Sequence, residues 1–165
     1  MGSVMFSHGK ESGPWGSKIT AMAEAVRGLG LAVESVDYRG IDDPAARVLK
    51  LIAAADGIAA PRFLVGSSMG GHVSAAAAAR LAPRGLFLLA PAFYMPGLEA
   101  LTPTEIPCPV AIVHGWRDDI VPVDHSIRWA REQLAALHVL DGGHRLEDRI
   151  DLICVLLRAF VTDLI

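Results

Sequence analysis

Long apolar runs, clustered cysteines and a surplus of positive charge are all missing from this sequence. No apolar stretch approaches the roughly 20 residues that a membrane-spanning helix needs, so no span is expected. The N-terminal residues carry no basic region ahead of a long apolar core, and polar His8-Gly9-Lys10 follows at once. No signal peptide is expected either. The two cysteines, Cys108 and Cys154, are too few for a disulfide framework and lack the C-x-x-C spacing of a metal or redox motif. Both sit in apolar surroundings and read as plain buried thiols. The net charge is −3, no basic run occurs, and aromatic residues make up only 6% of the chain. That leaves little to grip phosphates or stack bases, so nucleic acid is not an expected partner. The expectation is a cytoplasmic protein that needs no metal or organic cofactor.

What is present is an apolar chain of one-domain length, 165 residues with 52% hydrophobic side chains. Strand and helix signals alternate along it. Ser3 to Ser7 is a short apolar strand ending in His8-Gly9. Ile19, Met22, Ala23, Val26 and Leu29 then recur at helical spacing, and Gly28 and Gly30 stop that helix. Leu31 to Tyr38 reads as a strand. Asp42 or Asp43 caps a second helix with Pro44 in its first turn. Arg62 to Val65, Gly85 to Ala90, Val110 to Val113 and His138 to Leu140 complete six strands. Asp124 is read as the cap of a helix over 125–136, and a last helix is expected from about Glu147 to Leu164. Between Pro91 and Pro109 lies the longest irregular segment, with five prolines. Uniformly apolar strands alternating with helices predict an α/β fold: a three-layer, doubly wound, six-stranded, mostly parallel sheet with helices on both faces. Residues 1–165 are read as a single domain.

In such a sheet ligands bind at the carboxyl ends of the strands, and the candidate chemical groups fall there. Val65-Gly66-Ser67-Ser68-Met69-Gly70-Gly71 carries G-x-S-x-G between an apolar strand and an Ala-rich helix. A serine on such a turn is held strained and exposed, and the following helix N-terminus favours a developing oxyanion. Ser68 is therefore the candidate nucleophile. A serine hydroxyl needs a general base, and the base needs a carboxylate to orient it. His144, in the glycine-rich loop after the last strand, is the candidate base. His8 and His114 each end a strand and are read as loop braces. His72, His125 and His138 are read as a helix-directed, an exposed and a strand or surface residue. Asp118, a few residues past the Val110 strand, is the candidate acid, with Asp119 as the alternative. Asp141 belongs to a turn signal of its own.

His8-Gly9 after the first strand, the Gly66 to Gly71 elbow, His114-Gly115 followed by Asp118 and Val121-Pro122, and Gly143-His144 occur in that order. With these motifs the chain resembles the α/β-hydrolase superfamily, as a small lidless serine hydrolase of esterase type, over nearly its whole length. The resemblance implies Ser68, His144 and Asp118 as a catalytic triad. It also implies an oxyanion hole made by the backbone N–H of Met69 and one just after His8-Gly9, assigned to Lys10 with Gly9 as the alternative. The two leading antiparallel strands and the cap insertion of fuller members are missing, which argues against large lipid substrates. Phe93, Tyr94 and Trp116, with Met95 and Leu98, would line an acyl pocket, or equally cover the core. Lys10, Glu11, Trp15 and Arg39 would rim the mouth, or equally be solvated loop residues. The expected activity is hydrolysis of carboxylic esters or thioesters of small acyl groups through an acyl-enzyme. A serine peptidase or amidase, and a non-catalytic interaction module on the same scaffold, are the alternatives.

Overall fold

Each inner strand sends alternate side chains into two separate cores. Val4 and Phe6 point one way and Met5 the other, as do Phe63 and Val65 against Leu64, and Phe87 and Leu89 against Leu86 and Leu88. A sheet apolar on both faces must be covered on both. In the computed structural model, which describes residues 2–60 and 62–165, five helices do so. The strands are β1 (Ser3–Ser7), β2 (Ala32–Val36), β3 (Arg62–Ser67), β4 (Gly85–Leu89), β5 (Val110–Gly115) and β6 (Ala136–Leu140). They form one sheet in the order β2-β1-β3-β4-β5-β6, and every pairing is parallel.

Helices α1 (Ser17–Arg27) and α5 (Ile150–Leu164) close the first core, where Ile19, Met22, Val26, Ile153, Leu157 and Val161 meet the sheet. On the other face lie α2 (Pro44–Ala54), α3 (Met69–Leu81) and α4 (Val123–Gln133), with Leu51, Val73 and Trp129 at their centres. The strand order reverses at β1, between β2 and β3. That switch point leaves a crevice at the carboxyl ends of β1 and β3.

The element order is the expected one, and the differences are local. Asp43, not Asp42, caps α2, accepting from the Ala46 N–H at 3.2 Å; such a cap is worth about 1 kcal/mol. Asp124 does not cap α4. The helix starts at Val123 after Pro122, whose fixed φ suits that position, and Asp124 falls inside the first turn. A short 3₁₀ turn, Glu147–Arg149, precedes α5 where continuous helix was expected. β2 is shorter than the expected Leu31 to Tyr38, because the end residues bond outside the ladder: the Leu31 N–H donates to the Val26 carbonyl and the Tyr38 N–H to His8 Nε2. Among the described residues, no helix is long and apolar enough to cross a membrane.

Glycine is sterically required where β3, α3 and β1 converge. A Cβ on Gly66 would lie 2.2 Å from the Gly70 carbonyl oxygen, and one on Gly70 would lie 2.0 Å from that of Ser7. Both obstacles are backbone and cannot swing aside. Gly143, by contrast, faces open space. Gly70→Ala is therefore expected to cost about 3 kcal/mol or prevent folding, while Gly143→Ala changes stability by less than about 0.5 kcal/mol. Denaturant melts of the two variants check this; equal stabilities would contradict the packing described.

Candidate active site

The serine turn is built by backbone crowding. β3 delivers Ser67, α3 begins at Met69, and Ser68 between them takes φ 55° and ψ −118°. A non-glycine residue pays strain in that region, and such strain concentrates at functional sites. The conformation is held by hydrogen bonds on both sides. The Ser68 N–H donates to the Leu89 carbonyl at 2.9 Å, and the Ser68 carbonyl accepts from Gly71, His72 and Ala92. The side chain is left half-exposed at the end of the sheet.

Two other strand ends bring it partners. His144 Nε2 lies 3.1 Å from Ser68 Oγ, and its Nδ1 lies 2.7 Å from Asp118 Oδ2. The loops bearing Asp118 and His144 are joined. The Trp116 N–H donates to Leu140 and the Arg117 N–H to Gly142, and a Cβ on Gly115 would sit 2.3 Å from the Gly142 carbonyl oxygen. Gly115 thus allows the two loops to touch.

The Asp118 side chain has no solvent exposure. Burial alone would favour its neutral form, but four donors outweigh that cost. His114 Nε2 at 3.0 Å and His144 Nδ1 serve Oδ2, while the N–H groups of Ile120 (2.9 Å) and Val121 (2.8 Å) serve Oδ1. Together they hold the carboxyl well below the usual carboxylate range. Its ionised state leaves His144 Nδ1 protonated, so Nε2 faces Ser68 Oγ with a free lone pair. Asp119, the alternative acid, is exposed and bonds neither histidine.

His114 went further than a loop brace. Its Nε2 sits between the Asp118 carboxylate and the Val121 carbonyl, so it carries a proton, and its Nδ1 meets Ser126 Oγ at 2.7 Å. A histidine closing an apolar strand four residues before the acid was the available signal, and the structure buries it wholly. His8, likewise buried, accepts the Tyr38 N–H at Nε2 (2.8 Å) and donates from Nδ1 to the Gly9 carbonyl (2.7 Å). Burial lowers its pKa, consistent with this neutral tautomer. His72 packs edge-on against Phe93, and His125 is half-buried rather than exposed, bonding the Phe93 carbonyl through Nδ1.

The oxyanion candidates lie at the same edge. A Cβ on Gly9 would stand 3.5 Å from Ser68 Cβ, so the His8-Gly9-Lys10 turn lies against the elbow. Met69 opens α3, where first-turn N–H groups have no helical acceptor. The Lys10 side chain is exposed.

The expected pocket walls are not brought together. Phe93 is wholly buried and stacked on Trp129 with centroids 4.5 Å apart, so it packs the core, which corrects its assignment to substrate. Tyr94 turns to α4: its hydroxyl donates to Glu132 at 3.1 Å and the Arg128 guanidinium lies 4.0 Å over its ring. Trp116 is 59% exposed on the loop after β5. The cleft beside His144 instead has a volume of about 440 Å³ and is lined by Asp119, Ile120, Arg145, Leu146 and Glu147 among others. None of those was foreseen as lining.

No family model matches the sequence, and no curated protein matches it. Solved structures do. A protein of the α/β superfamily of hydrolases from Xanthomonas campestris pv. campestris superposes with a TM-score of 0.91 at 31% identity, covering 99% of this chain and 100% of its own. Mouse alpha/beta hydrolase domain-containing protein 10 is similar at 21% identity and TM-score 0.83, over 99% of this chain and 90% of its own. Est1E from Butyrivibrio proteoclasticus is similar at 19% identity and TM-score 0.83, over 98% and 87%.

The ionised Asp118 sets a pH dependence. Its folded pKa lies below the ordinary value near 3.9, so its contribution to stability is complete above that value and is lost as pH falls toward the folded one. Asp118→Asn should therefore be less stable than the wild type at pH 7, with the gap narrowing as the pH drops below about 4. Melting temperature against pH measures it; parallel curves would refute the ionised assignment.

Proposed function

Since the chain belongs to the α/β-hydrolase superfamily, we propose that it is a serine hydrolase cleaving carboxylic esters or thioesters of small acyl groups. The observation that carries this reading is the unbroken chain from Ser68 Oγ through His144 to the ionised Asp118, with contacts of 3.1 and 2.7 Å.

The mechanism follows from the proton positions. His144 Nε2 takes the Ser68 proton as Oγ attacks the acyl carbon. The imidazolium that forms is stabilised by Asp118, whose negative charge is already in place and requires no rearrangement. The carbonyl oxygen becomes an oxyanion beside the N–H groups of Met69 and Lys10, close to the start of α3. Nε2–H then protonates the leaving alkoxide or thiolate. Water enters, is deprotonated by the same nitrogen, and attacks the acyl-enzyme, restoring Ser68.

The choice of substrate class rests on the open site. The segment from Pro91 to Pro109 folds onto the body: Tyr94 engages α4, and Trp129 Nε1 donates to the Pro103 carbonyl at 2.6 Å. It is not free to close as a large lid. The cleft beside His144, lined by apolar Ile120 and Leu146 and by charged Arg145 and Glu147, supports a short acyl or leaving group with a polar end.

On a series of chromogenic esters and thioesters of increasing acyl length, turnover should be greatest for short chains and abolished by Ser68→Ala with no change in melting temperature. A fluorophosphonate probe should label Ser68 in the wild type and leave His144→Ala unlabelled. Undiminished turnover in Ser68→Ala, or labelling at another serine, would defeat the reading.

A further inference from the structure

Arg47 is 1% exposed, although it carries a permanent charge and lies on α2, outside the Ser68, His144 and Asp118 chain. Arginine is rarely buried without a carboxylate partner, and no ion pair to Arg47 exists among the described residues. Its donors go to backbone instead. Nε donates to the Ile41 carbonyl at 2.6 Å, and Nη1 donates to the carbonyls of both His8 and Gly9 at 3.2 Å. The guanidinium also lies 5.2 Å from the Tyr38 ring centroid. Tyr38, with its pKa pushed up to about 12 by burial first of all, stays a neutral phenol whose hydroxyl meets Ser7 Oγ at 2.8 Å.

The two gripped carbonyls flank the turn that lies against the elbow. In a trans peptide the C=O and N–H point in opposite directions. Fixing the His8 carbonyl therefore fixes the Gly9 N–H, and fixing the Gly9 carbonyl fixes the Lys10 N–H, each directed away from Arg47. The Gly9 carbonyl is held most firmly, since it also accepts from His8 Nδ1 at 2.7 Å. A charged donor on that carbonyl polarises the Gly9–Lys10 peptide and makes its N–H a stronger donor.

We infer that Arg47 is a positioning residue for the oxyanion site: by gripping the His8 and Gly9 carbonyls from behind, it aims and polarises the Lys10 N–H toward the oxygen that develops on the Ser68-bound substrate. The inference rests on the serine-hydrolase reading above. It selects Lys10 over Gly9 as the second donor, because the Lys10 N–H belongs to the peptide whose carbonyl has both Arg47 and His8 as partners. It also explains why a charge is buried there. The bonds of His8 and Tyr38 would hold a turn without one, but a cation behind the peptide strengthens it as a donor more than a neutral group would.

The test uses Arg47→Met and Arg47→Lys beside the wild type and Ser68→Ala, on one short-chain chromogenic ester. Misaiming a single oxyanion donor predicts a kcat lower by about 10- to 100-fold in Arg47→Met, with KM changed less than about threefold. Arg47→Lys keeps the charge but loses the fork, and should recover about a third to a tenth of wild-type kcat. Inhibition by a trifluoromethyl ketone of matching chain length, whose hemiketal oxygen occupies the oxyanion site, should weaken by the same factor as kcat/KM. The pH profile should be unchanged, since His144 and Asp118 are untouched. If Arg47→Met fails to fold, Arg47→Lys carries the kcat and inhibitor comparison alone. A folded variant with wild-type kcat, a loss confined to KM, or a ketone that binds as tightly as before would overturn the positioning role while Ser68-dependent turnover stands. Wild-type turnover that survives Ser68→Ala would defeat the hydrolase reading itself.

Discussion

The site depends on a buried negative charge. A carboxylate removed from water reverts to its neutral form unless donors replace the solvent it lost. Asp118 has four, drawn from three places: His114 on β5, the N–H groups of Ile120 and Val121 in its own loop, and His144 beyond β6. Keeping that charge therefore requires the ends of β5 and β6 to stay together. The backbone bonds from Trp116 to Leu140 and from Arg117 to Gly142 provide this, and Gly115 leaves the space for it. The exposed pair of Arg117 and Asp141 at 2.8 Å spans the same junction but adds little, since solvent screens it. The orientation of His144 is thus a product of sheet topology, and its ring is fixed before any substrate arrives.

The serine obeys a different constraint. Its position is determined by how closely three backbones approach, and glycine is the only residue that fits at Gly66 and Gly70. Gly71 is nearly as restricted, since a Cβ there would lie 2.9 Å from Pro91 Cβ. The strained Ser68 backbone persists because the end of β4, the first turn of α3 and Ala92 in the loop after β4 each bond to it. Removing one of those supports would relax the turn toward ordinary φ and withdraw the hydroxyl from His144.

These two constraints explain what was legible in the sequence. Ser68, Asp118 and His144 could be read because each sits where a local signal (an elbow, an apolar strand followed by a carboxylate, a glycine-rich loop) coincides with a strand end. Strands with cores on both faces were legible for the same reason. Long-range packing was not. Phe93 follows a strand end as a pocket residue would, yet whether it faces the cleft depends on Trp129, 36 positions away, which takes it into the core. Tyr94 likewise answers to Arg128 and Glu132 on α4. Asp124 had the residue type of a cap but stood two places too late, since Pro122 had already set the helix start. Arg47 lies within an apolar helical stripe, where an arginine ordinarily reaches out to solvent. Only the fold reveals that it turns inward to the His8-Gly9 turn.

Ser68 therefore stands between two buried charges of opposite sign. Asp118 lies beyond His144 on the β5–β6 side, and Arg47 lies behind His8-Gly9 on the β1–β2 side. In the proposed reaction, attack on a carbonyl makes the imidazole cationic beside Asp118 and the carbonyl oxygen anionic beside the His8-Gly9 turn that Arg47 grips. For that reaction, a field directed from Arg47 toward Asp118 would stabilise both charges as they form, which is what transition-state stabilisation requires. The sheet makes the arrangement possible because its reversal at β1 places α2 behind the first strand end and the β5 and β6 loops beyond the third. Burying the charges inside the scaffold, at 0% and 1% exposure, shields them from solvent while the substrate cleft itself stays open.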